Sequence, residues 1–274
     1  MQGKIIKNIS NTYSVLVEDK IYECKPRGKF RNLNITPLVG DEVIIDEVNK
    51  YILDILPRKN ELNRPYISNV DYALILTSLK TPDLSLLLLD KQITFLILHK
   101  IKPIIVFSKL DLADEELLNT VNELSNYYER IGIKVFNNNE LERIKEFLKG
   151  KEVVITGQTG AGKSTLINKL GDLNIKTDEI SYALGRGKHT TRHVEIYNID
   201  DINIADTPGF SALDIVGYSK EEIRDAYPEF NDSNCKFKDC MHNKERECNV
   251  KDKVEKKVIL KSRYDNYIRI ISEV

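Results

Sequence analysis

The most informative chemistry in this chain lies in residues 157–164, which read GQTGAGKS and fit the pattern G-x-x-x-x-G-K-[ST]. In this pattern glycines let backbone N–H groups approach phosphate oxygens, the lysine reaches the β- and γ-phosphates, and the final hydroxyl ligates Mg²⁺. A β-branched run precedes the segment and helical apolar spacing follows it, as a phosphate loop requires. We therefore predict phosphate binding by the following residues, with Lys163 also acting in catalysis: Gly157, Gln158, Thr159, Gly160, Ala161, Gly162, Lys163 and Ser164.

A second motif, Ser108-Lys109-Leu110-Asp111, follows an apolar strand predicted at 103–107 and indicates the base. The Asp111 carboxylate can accept two hydrogen bonds side by side, and guanine, unlike adenine, offers a pair of N–H donors on its pairing edge. Lys109 is expected to lay its stem over the base while its ammonium steadies the phosphate loop. Ser108 stands where asparagine is commonest, which affects the tightness of binding more than the choice of base. Alone, the motif is also typical of an ordinary strand-to-helix turn.

A third motif, Asp206-Thr-Pro-Gly209, follows a predicted strand at 202–205. Its carboxylate can support Mg²⁺, and the N–H of Gly209 can sense a γ-phosphate. Between this motif and the phosphate loop lies GRGKHTT at 185–191, a basic, glycine-rich segment of the kind that orders around γ-phosphate and Mg²⁺. Either Thr190 or Thr191 can complete the metal shell, and the sequence does not choose between them.

The residue after Gly209 is Phe210, whereas Ras-type enzymes carry a glutamine just beyond this motif to orient the attacking water. His189 is the local candidate for that task, because histidine can orient or deprotonate water near neutral pH. The alternative is that His189 is a structural or RNA-contacting side chain. We therefore expect slow intrinsic turnover and a partner that orders the loop.

The order of the motifs is unusual, because the base-reading motif at 108–111 precedes the phosphate loop at 157–164. An ordinary GTPase has the reverse order, so the nucleotide domain is predicted to be circularly permuted. The third motif then lies near the end of that domain and leads directly into the C-terminal segment. Nucleotide hydrolysis could therefore move the C-terminal segment.

A second constellation, Cys235-x4-Cys240-x-His242-x5-Cys248, gathers three of the four cysteines and one of the four histidines of the chain. Three thiolates and one imidazole fill a tetrahedral zinc shell and leave no open position, so we predict one structural zinc ion. The alternative is a set of buried free thiols, which the short spacing and polar neighbours disfavour. The fourth cysteine, Cys24, is predicted to be an ordinary strand residue.

The composition is that of a soluble intracellular globular chain, with 41% hydrophobic and 30% charged residues over 274 positions. The net charge of −1 means that any nucleic-acid binding must use local patches. The longest apolar stretch, 84–98, contains Asp90 and Lys91 and is too short and too charged to span a bilayer. We predict a buried helix there, no signal peptide, and a cytoplasmic protein without membrane contact.

Three domains are predicted. Residues 1–63 contain short β-branched runs at 12–17, 43–46 and 51–55, typical of a small β-barrel of the oligonucleotide-binding type, followed by a linker at 57–65. Residues 66–216 alternate strands and helices, which indicates an α/β nucleotide domain. Residues 217–274 form a mainly helical zinc-binding domain.

Two basic segments are candidates for RNA contact. The sequence RGKFR at 27–31 places three cations around one aromatic residue on a predicted loop, which suits phosphate contact with base stacking. A solvated hairpin tip is the alternative. The helix-like stretch 251–271 carries seven lysines and arginines, including Arg263, and is either a solvated face or an RNA-facing surface beside the zinc cluster.

Together these motifs resemble the bacterial small-ribosomal-subunit biogenesis GTPases of the RsgA (YjeQ/YloQ) family. The resemblance covers essentially the whole chain and rests on the permuted order, GRGKHTTRHVE at 185–195, DTPGF at 206–210, PEF at 228–230 and the zinc pattern. It implies an amino-terminal oligonucleotide-binding barrel, a permuted GTPase centre using GTP with Mg²⁺, a zinc domain, and GTP hydrolysis stimulated by the 30S subunit during its late maturation. Position by position, it extends the GTP-binding set to Thr165.

The implied partners are GTP and GDP, the 30S subunit and 16S rRNA, with a monomeric chain that contacts no DNA. The segment FNNN at 136–139 departs from the family pattern, which has a serine-containing base-contact motif there; backbone amides can still reach guanine O6. The main alternative is an RNA-binding assembly scaffold that holds GTP without turnover. A permuted GTPase acting on the large subunit conflicts with the barrel and zinc cluster, and a metabolic kinase leaves residues 108–111 without a purpose.

Overall fold

The computed structural model describes residues 1–63, 65–171, 194–206, 215–231 and 233–274, with only the backbone of Asp206. The chain divides into two compact units. The first comprises Met1–Leu74, Asn138–Gly157 and Gly162–Ser211. The second comprises Ile75–Asn137, Gln158–Ala161 and Ala212–Val274.

The first unit begins with a closed five-stranded barrel, which confirms the predicted N-terminal β-barrel. Strand β1 pairs antiparallel with both β2 and β4, β3 lies antiparallel to β2 and parallel to β5, and β4 and β5 close the ring. Inward residues on every strand, such as Ile5, Val15 and Ile52, are fully buried. The strands are β1 Gln2–Ile9, β2 Thr12–Val17, β3 Lys20–Pro26, β4 Glu42–Asp46 and β5 Tyr51–Ile55.

The basic segment 27–31 is not the loop that the sequence predicts. Lys29–Asn32 forms a one-turn helix, α1, and Phe30 is buried, with only 4% of its surface exposed. The cations of the segment stay exposed, and Lys29 lies 3.5 Å from Asp54. Phe30 is therefore a core residue and offers no surface for base stacking, which corrects the prediction.

The segment 57–65 is not simply a linker, since it contributes to a short hairpin. Strands β6 Glu61–Asn63 and β7 Tyr66–Ser68 pair antiparallel and bury Leu62 and Ile67. The fully buried Asp41 carboxylate fixes this hairpin, accepting hydrogen bonds from Arg58 Nε at 2.7 Å and Ser68 Oγ at 2.6 Å. Buried apolar side chains and a partly buried ion pair order a segment that the sequence predicted to be a linker.

The sheet of the first unit continues beyond the barrel. Strand β11 lies parallel to β13, β12 lies antiparallel to β13, and β12 joins β1 with Lys7 opposite Glu195. The barrel and these strands thus share β1. The remaining elements are α4 Leu141–Leu148, β11 Glu152–Gly157, α5 Lys163–Leu170, β12 Glu195–Ile199 and β13 Ile202–Asp206.

The second unit contains the α/β alternation that the sequence predicts. Its elements begin with β8 Tyr72–Ser78, of which Ile75 onwards belongs here, and continue through α2 Leu86–Leu98, β9 Lys102–Ser108, α3 Glu115–Arg130 and β10 Lys134–Asn137. Strand β9 neighbours β8 and pairs parallel with β10. Ser85 caps α2 and Asp114 caps α3, each through a side-chain oxygen. The caps fix where both helices begin.

The C-terminal part of this unit is mainly helical, as predicted, but the continuous helix over 251–271 is wrong. The chain breaks between two helices, where Lys257 has a φ of 57° and Val258 is 49% exposed. Arg263, predicted on a solvated or RNA-facing surface, is fully buried. The elements are α6 Lys220–Asp225, a 3-10 turn at Pro228–Phe230, α7 Asn249–Glu255 and α8 Lys261–Ser272.

Among the described residues, no helix has the length and apolar character needed to cross a bilayer. The apolar stretch predicted as a buried helix forms α2, with Leu89, Ile93 and Leu96 at 1% exposure or less.

Candidate functional site

The phosphate-loop motif lies between β11 and α5, where the predicted strand and helix both form. Gly162 ends the loop with a φ of 98°, a left-handed conformation that favours glycine, and α5 begins at Lys163. The Lys163 ammonium donates a hydrogen bond to the Gly157 carbonyl at 2.7 Å. The lysine thus folds back over the first glycine of its own loop, with its charge at the place where the motif requires a phosphate. Ser164 and Thr165 follow in the first turn of the helix.

Ser108 is joined directly to the phosphate loop, although 53 positions separate it from its partner in sequence. It ends β9 and donates its Oγ–H to the Ala161 carbonyl at 2.8 Å. Both residues are buried, with 2% and 0% exposure. The structure therefore joins the 108–111 motif to the phosphate loop at 157–164. The 108–111 motif comes first in the chain, as the predicted permutation requires.

Lys109 has a left-handed backbone, with a φ of 60°, and its ammonium contacts the Thr81 carbonyl. Its partner is thus a neighbouring loop, not the phosphate loop that the sequence predicts. That neighbouring loop is also tied to α3, because Lys80 Nζ lies 2.8 Å from the Asp114 carboxylate. The sequence motifs therefore did not predict the partner of the Lys109 ammonium.

Leu110 and Asp111 lie in a short 3-10 turn between β9 and α3, and Asp111 is exposed. Strand β10 ends beside this turn, with Asn137 opposite Phe107, one residue before Ser108. The turn thus presents an accessible carboxylate at the carboxyl end of a parallel strand pair, which is where open α/β sheets bind ligands. Asn137, the first asparagine of the FNNN segment at 136–139, lies at this edge of the sheet.

The remaining residues predicted for nucleotide chemistry lie outside the part of the chain that is described. These are His189, Thr190, Thr191 and Gly209; for Asp206 the backbone alone is described, at the end of β13.

The predicted metal ligands come together into one cluster. Cys235, Cys240, His242 and Cys248 each offer a ligand atom, and these atoms lie within 4.8 Å of one another. The His242 Nδ1 lies 3.6 Å from Cys235 Sγ and 3.4 Å from Cys248 Sγ, and the two sulfur atoms are 4.0 Å apart. A tetrahedral zinc ion with ordinary bond lengths gives edges of about 3.6 Å for N to S and about 3.8 Å for S to S. The donor set and spacing fit zinc.

The cluster contains one neutral nitrogen donor and buried thiols that ionise only beside a cation. Burial lowers the pKa of His242 to about 4, so the imidazole is neutral at pH 7 and can donate its lone pair. Burial raises the pKa of the Cys240 thiol to about 12 and also raises that of Cys248, so a cation is needed to hold them as thiolates. The Tyr264 hydroxyl fixes the backbone here by donating to the His242 carbonyl at 2.6 Å.

A buried polar network links this cluster to α2 and α3, and the sequence did not reveal it. Arg263 on α8 donates to Asp90 of α2 at 2.7 Å and to Glu229 of the 3-10 turn at 2.9 Å. Tyr128 of α3 also donates to Asp90, at 2.7 Å. Although burial opposes it, the two carboxylates hold the pKa of Arg263 above its ordinary value. The adjacent Phe230 packs edge-on against the His242 ring at 5.1 Å, so the PEF segment connects network and cluster.

Comparison with known proteins accounts for nearly the whole chain. The family model described as RsgA GTPase matches residues 55–216, and the RsgA N-terminal domain matches residues 2–51. The small ribosomal subunit biogenesis GTPase RsgA 1 of Listeria monocytogenes serotype 4b is 46% identical over 283 residues, covering 100% of this chain and 97% of the relative. RsgA of Enterococcus faecalis is 44% identical over 283 residues, covering 100% and 95%.

Two solved structures have the same fold. YjeQ from Thermotoga maritima superposes with a TM-score of 0.86 at 33% identity, covering 99% of this chain and 97% of that one. YloQ, described as a circularly permuted GTPase, gives a TM-score of 0.83 at 35% identity, covering 99% and 94%. The barrel, the permuted motif order joined through Ser108 and Ala161, and the Cys3His cluster agree with these matches, and the chain belongs to the RsgA GTPase family.

Proposed function

We propose that this chain hydrolyses GTP in response to the 30S ribosomal subunit during late small-subunit maturation, binding in one nucleotide state and leaving in the other. The observation that carries the proposal is the 2.8 Å hydrogen bond between Ser108 and Ala161, which joins a base-reading motif to a phosphate loop. The curated relatives, named for small-subunit biogenesis, supply the pathway. We place the protein in the cytoplasm, as a monomer.

The division of labour in the nucleotide site follows from the chemistry of each group. The phosphate loop from Gly157 to Thr165 holds the phosphates, with Lys163 over the β- and γ-oxygens and Ser164 toward Mg²⁺. Asp111 reads the two N–H donors of guanine, and Lys109 supports the base. Mg²⁺, when bound, neutralises charge that develops on the phosphoryl oxygens. Asp206 supports the metal shell.

The residues that complete hydrolysis are assigned from the sequence. We assign γ-phosphate sensing to the N–H of Gly209, metal ligation to Thr190 or Thr191, and water orientation to His189. Since no glutamine follows Gly209, the loop that carries His189 must be ordered by a partner before turnover is fast. This requirement is the reason that the proposal couples hydrolysis to the ribosomal subunit.

We assign one zinc ion to Cys235, Cys240, His242 and Cys248, with a structural task. Four protein ligands leave no coordination position for substrate or water. The cluster instead holds together a region with few regular elements, between the 3-10 turn and α7.

The domain division at 1–63, 66–216 and 217–274 is part of the same proposal.

The RNA-contacting surface of the barrel is assigned to β3 and β5, because Phe30 is buried. Tyr51 is 42% exposed, and its Cα lies directly opposite that of Lys25. Arg27 and Lys50 are exposed on the same two segments, and Lys25 N–H bonds to the Lys50 carbonyl. One exposed aromatic side chain with cations on the neighbouring positions suits base stacking with phosphate contact.

The test is steady-state hydrolysis of GTP and ATP by the zinc-loaded protein, alone and with purified 30S or 50S subunits at fixed salt. We expect GTP turnover that rises with 30S subunits alone, and no turnover in Lys163→Ala. Binding to 30S subunits without any gain in turnover would replace the proposal by the scaffold function, which the absence of a glutamine after Gly209 favours. Equal stimulation by 50S subunits would overturn the subunit assignment.

A further inference from the structure

We infer that Ser108 does not read the nucleotide base and serves only to position the phosphate loop, so this site selects guanine without a side-chain donor from position 108 to N7. The inference rests on the proposed use of GTP and refines how the base is recognised. It differs from the sequence-based expectation that all four residues of the 108–111 motif bind nucleotide.

The Ser108 side chain has a single proton to donate. A serine hydroxyl has one O–H donor, and its oxygen can otherwise only accept. That proton is committed, because Ser108 Oγ lies 2.8 Å from the Ala161 carbonyl, and a carbonyl cannot donate. Guanine presents N7 and O6 as acceptors on its other edge. Two acceptors that face each other form no hydrogen bond. Ser108, whose proton is bonded to the Ala161 carbonyl, therefore cannot donate to the base.

Burial keeps the proton in place. Ser108 is 2% exposed and Ala161 is fully buried, so no water can replace the hydrogen bond to the Ala161 carbonyl. Turning the hydroxyl toward a base would leave that carbonyl unsatisfied in the interior, which costs as much as the new bond gains. The Ser108 carbonyl is also occupied, since it accepts from the Leu79 N–H at 3.2 Å. The whole residue is therefore fixed between β8 and the phosphate loop.

Asparagine at this position would behave differently. Its amide nitrogen carries two donors, so one proton can bond to the Ala161 carbonyl while the other reaches N7. Serine retains the first of these interactions and lacks the second. Base selection then falls to the exposed Asp111 carboxylate and its two bonds to the pairing edge.

The experiment compares equilibrium binding of GTP and 7-deaza-GTP, in which N7 is replaced by C–H, to the full-length wild type, Ser108→Ala and Ser108→Asn. We expect the affinity ratio of the two nucleotides to agree within about twofold between wild type and Ser108→Ala, although Ser108→Ala binds both roughly fivefold more weakly because the tether is lost. A preference for GTP that is present in the wild type and disappears in Ser108→Ala would overturn the inference.

Ser108→Asn provides the reciprocal test and decides the matter if the alanine variant does not fold. We expect it to gain a preference of roughly fivefold or more for GTP over 7-deaza-GTP, relative to wild type. An unchanged ratio in a folded Ser108→Asn protein would count against the inference, because N7 would then gain nothing from a second donor. Failure of the wild type to bind GTP at all would instead overturn the proposed function, and this inference with it.

Discussion

The guanidinium of Arg263 lies 2.7 Å from the Asp90 carboxylate, with the side chains 0% and 1% exposed. Asp90 lies on α2, and Arg263 lies near the start of the final helix. Arg263 also stacks on Tyr227, with its guanidinium carbon 4.2 Å from the ring centroid. One buried ion pair thus joins α8 to α2 within the second compact unit.

The first prediction concerns this pair. Arg263→Met should lower the free energy of unfolding by about 3–5 kcal/mol, because it leaves Asp90 buried and uncompensated. Asp90→Leu combined with Arg263→Met should recover part of the loss, since Asp90 is then no longer an uncompensated charge and only Glu229 lacks its cationic partner. Urea unfolding measures the free energy of unfolding of the single and the double variant. Lys261→Ala on the same helix removes only an exposed ion pair with Asp265 and serves as the control; equal losses for Lys261→Ala and Arg263→Met would contradict the prediction.

The second prediction concerns the metal. Cys240→Ser should abolish zinc retention, with a bound stoichiometry falling from one ion toward zero, because a tetrahedral site with three ligands binds far more weakly. Elemental analysis of the purified protein measures it. Cys24→Ala is the matched control, since Cys24 is a buried barrel cysteine on β3. Zinc loss in the control, or full retention in Cys240→Ser, would show that the ligands are assigned wrongly.

The third prediction concerns the base. Asp111→Asn should weaken GTP binding by roughly tenfold or more, because the amide cannot accept both guanine donors. It should at the same time strengthen binding of XTP, whose base offers one donor and one acceptor on that edge. Competition binding with both nucleotides measures the switch. A uniform loss for GTP and XTP would mean that Asp111 does not contact the pairing edge.

The fourth prediction concerns RNA. Tyr51→Ala should weaken binding of a single-stranded RNA oligonucleotide by about 1–3 kcal/mol, the value of one stacked base. Fluorescence anisotropy at fixed salt measures it. Tyr66→Ala removes another exposed tyrosine, 63% accessible, which lies on β7 in the separate two-stranded hairpin, and should have no effect. If both variants bind as the wild type does, the β3–β5 surface is not the RNA site.

The fifth prediction concerns pH. Partial burial of Asp71 is outweighed by the Lys59 ammonium at 2.5 Å and the Glu152 N–H at 2.9 Å, which hold the pKa of Asp71 below its ordinary value. The resulting stability is present above pH about 4 and is lost as the pH falls through the lowered pKa. Asp71→Asn should therefore be less stable than wild type at pH 7, by less than about 1 kcal/mol for this partly exposed pair. Urea unfolding should show the difference vanish at low pH; a difference of constant size would rule out the linkage.

The sequence predicted the elements whose chemistry imposes a fixed spacing. The strand, glycine loop and helix around Lys163 form where the phosphate-loop pattern puts them, and the three cysteines with His242 converge as zinc ligands must. Helix α3 follows the predicted alternation of strands and helices, and local signals are enough to define it, because Asp114 caps it and apolar residues recur at helical spacing along it. In each case a local rule suffices.

The predictions that failed needed knowledge of what packs against what. The sequence around Phe30 is typical of an exposed binding loop, but the Phe30 side chain is buried. Arg263 has the sequence context of a solvated residue, but it is buried and pairs with Asp90 and Glu229. Arg263 shares a helical face with Tyr267 and Ile270, and that spacing was the available signal. The Ser108–Ala161 bond spans 53 residues, a separation at which no local pattern operates.

The same separation sets the order of events during synthesis. Ribosomes make an N-terminal segment first, at about 5–20 residues per second, and domains fold as they emerge. The barrel and β9 are therefore synthesised before the phosphate loop. Ala161 is added 53 residues after Ser108, which takes about 3–10 seconds at those rates. In a permuted chain, the segment that carries the 108–111 motif is made before residues 157–164, so the two motifs can be joined only after more than half of the chain has been synthesised.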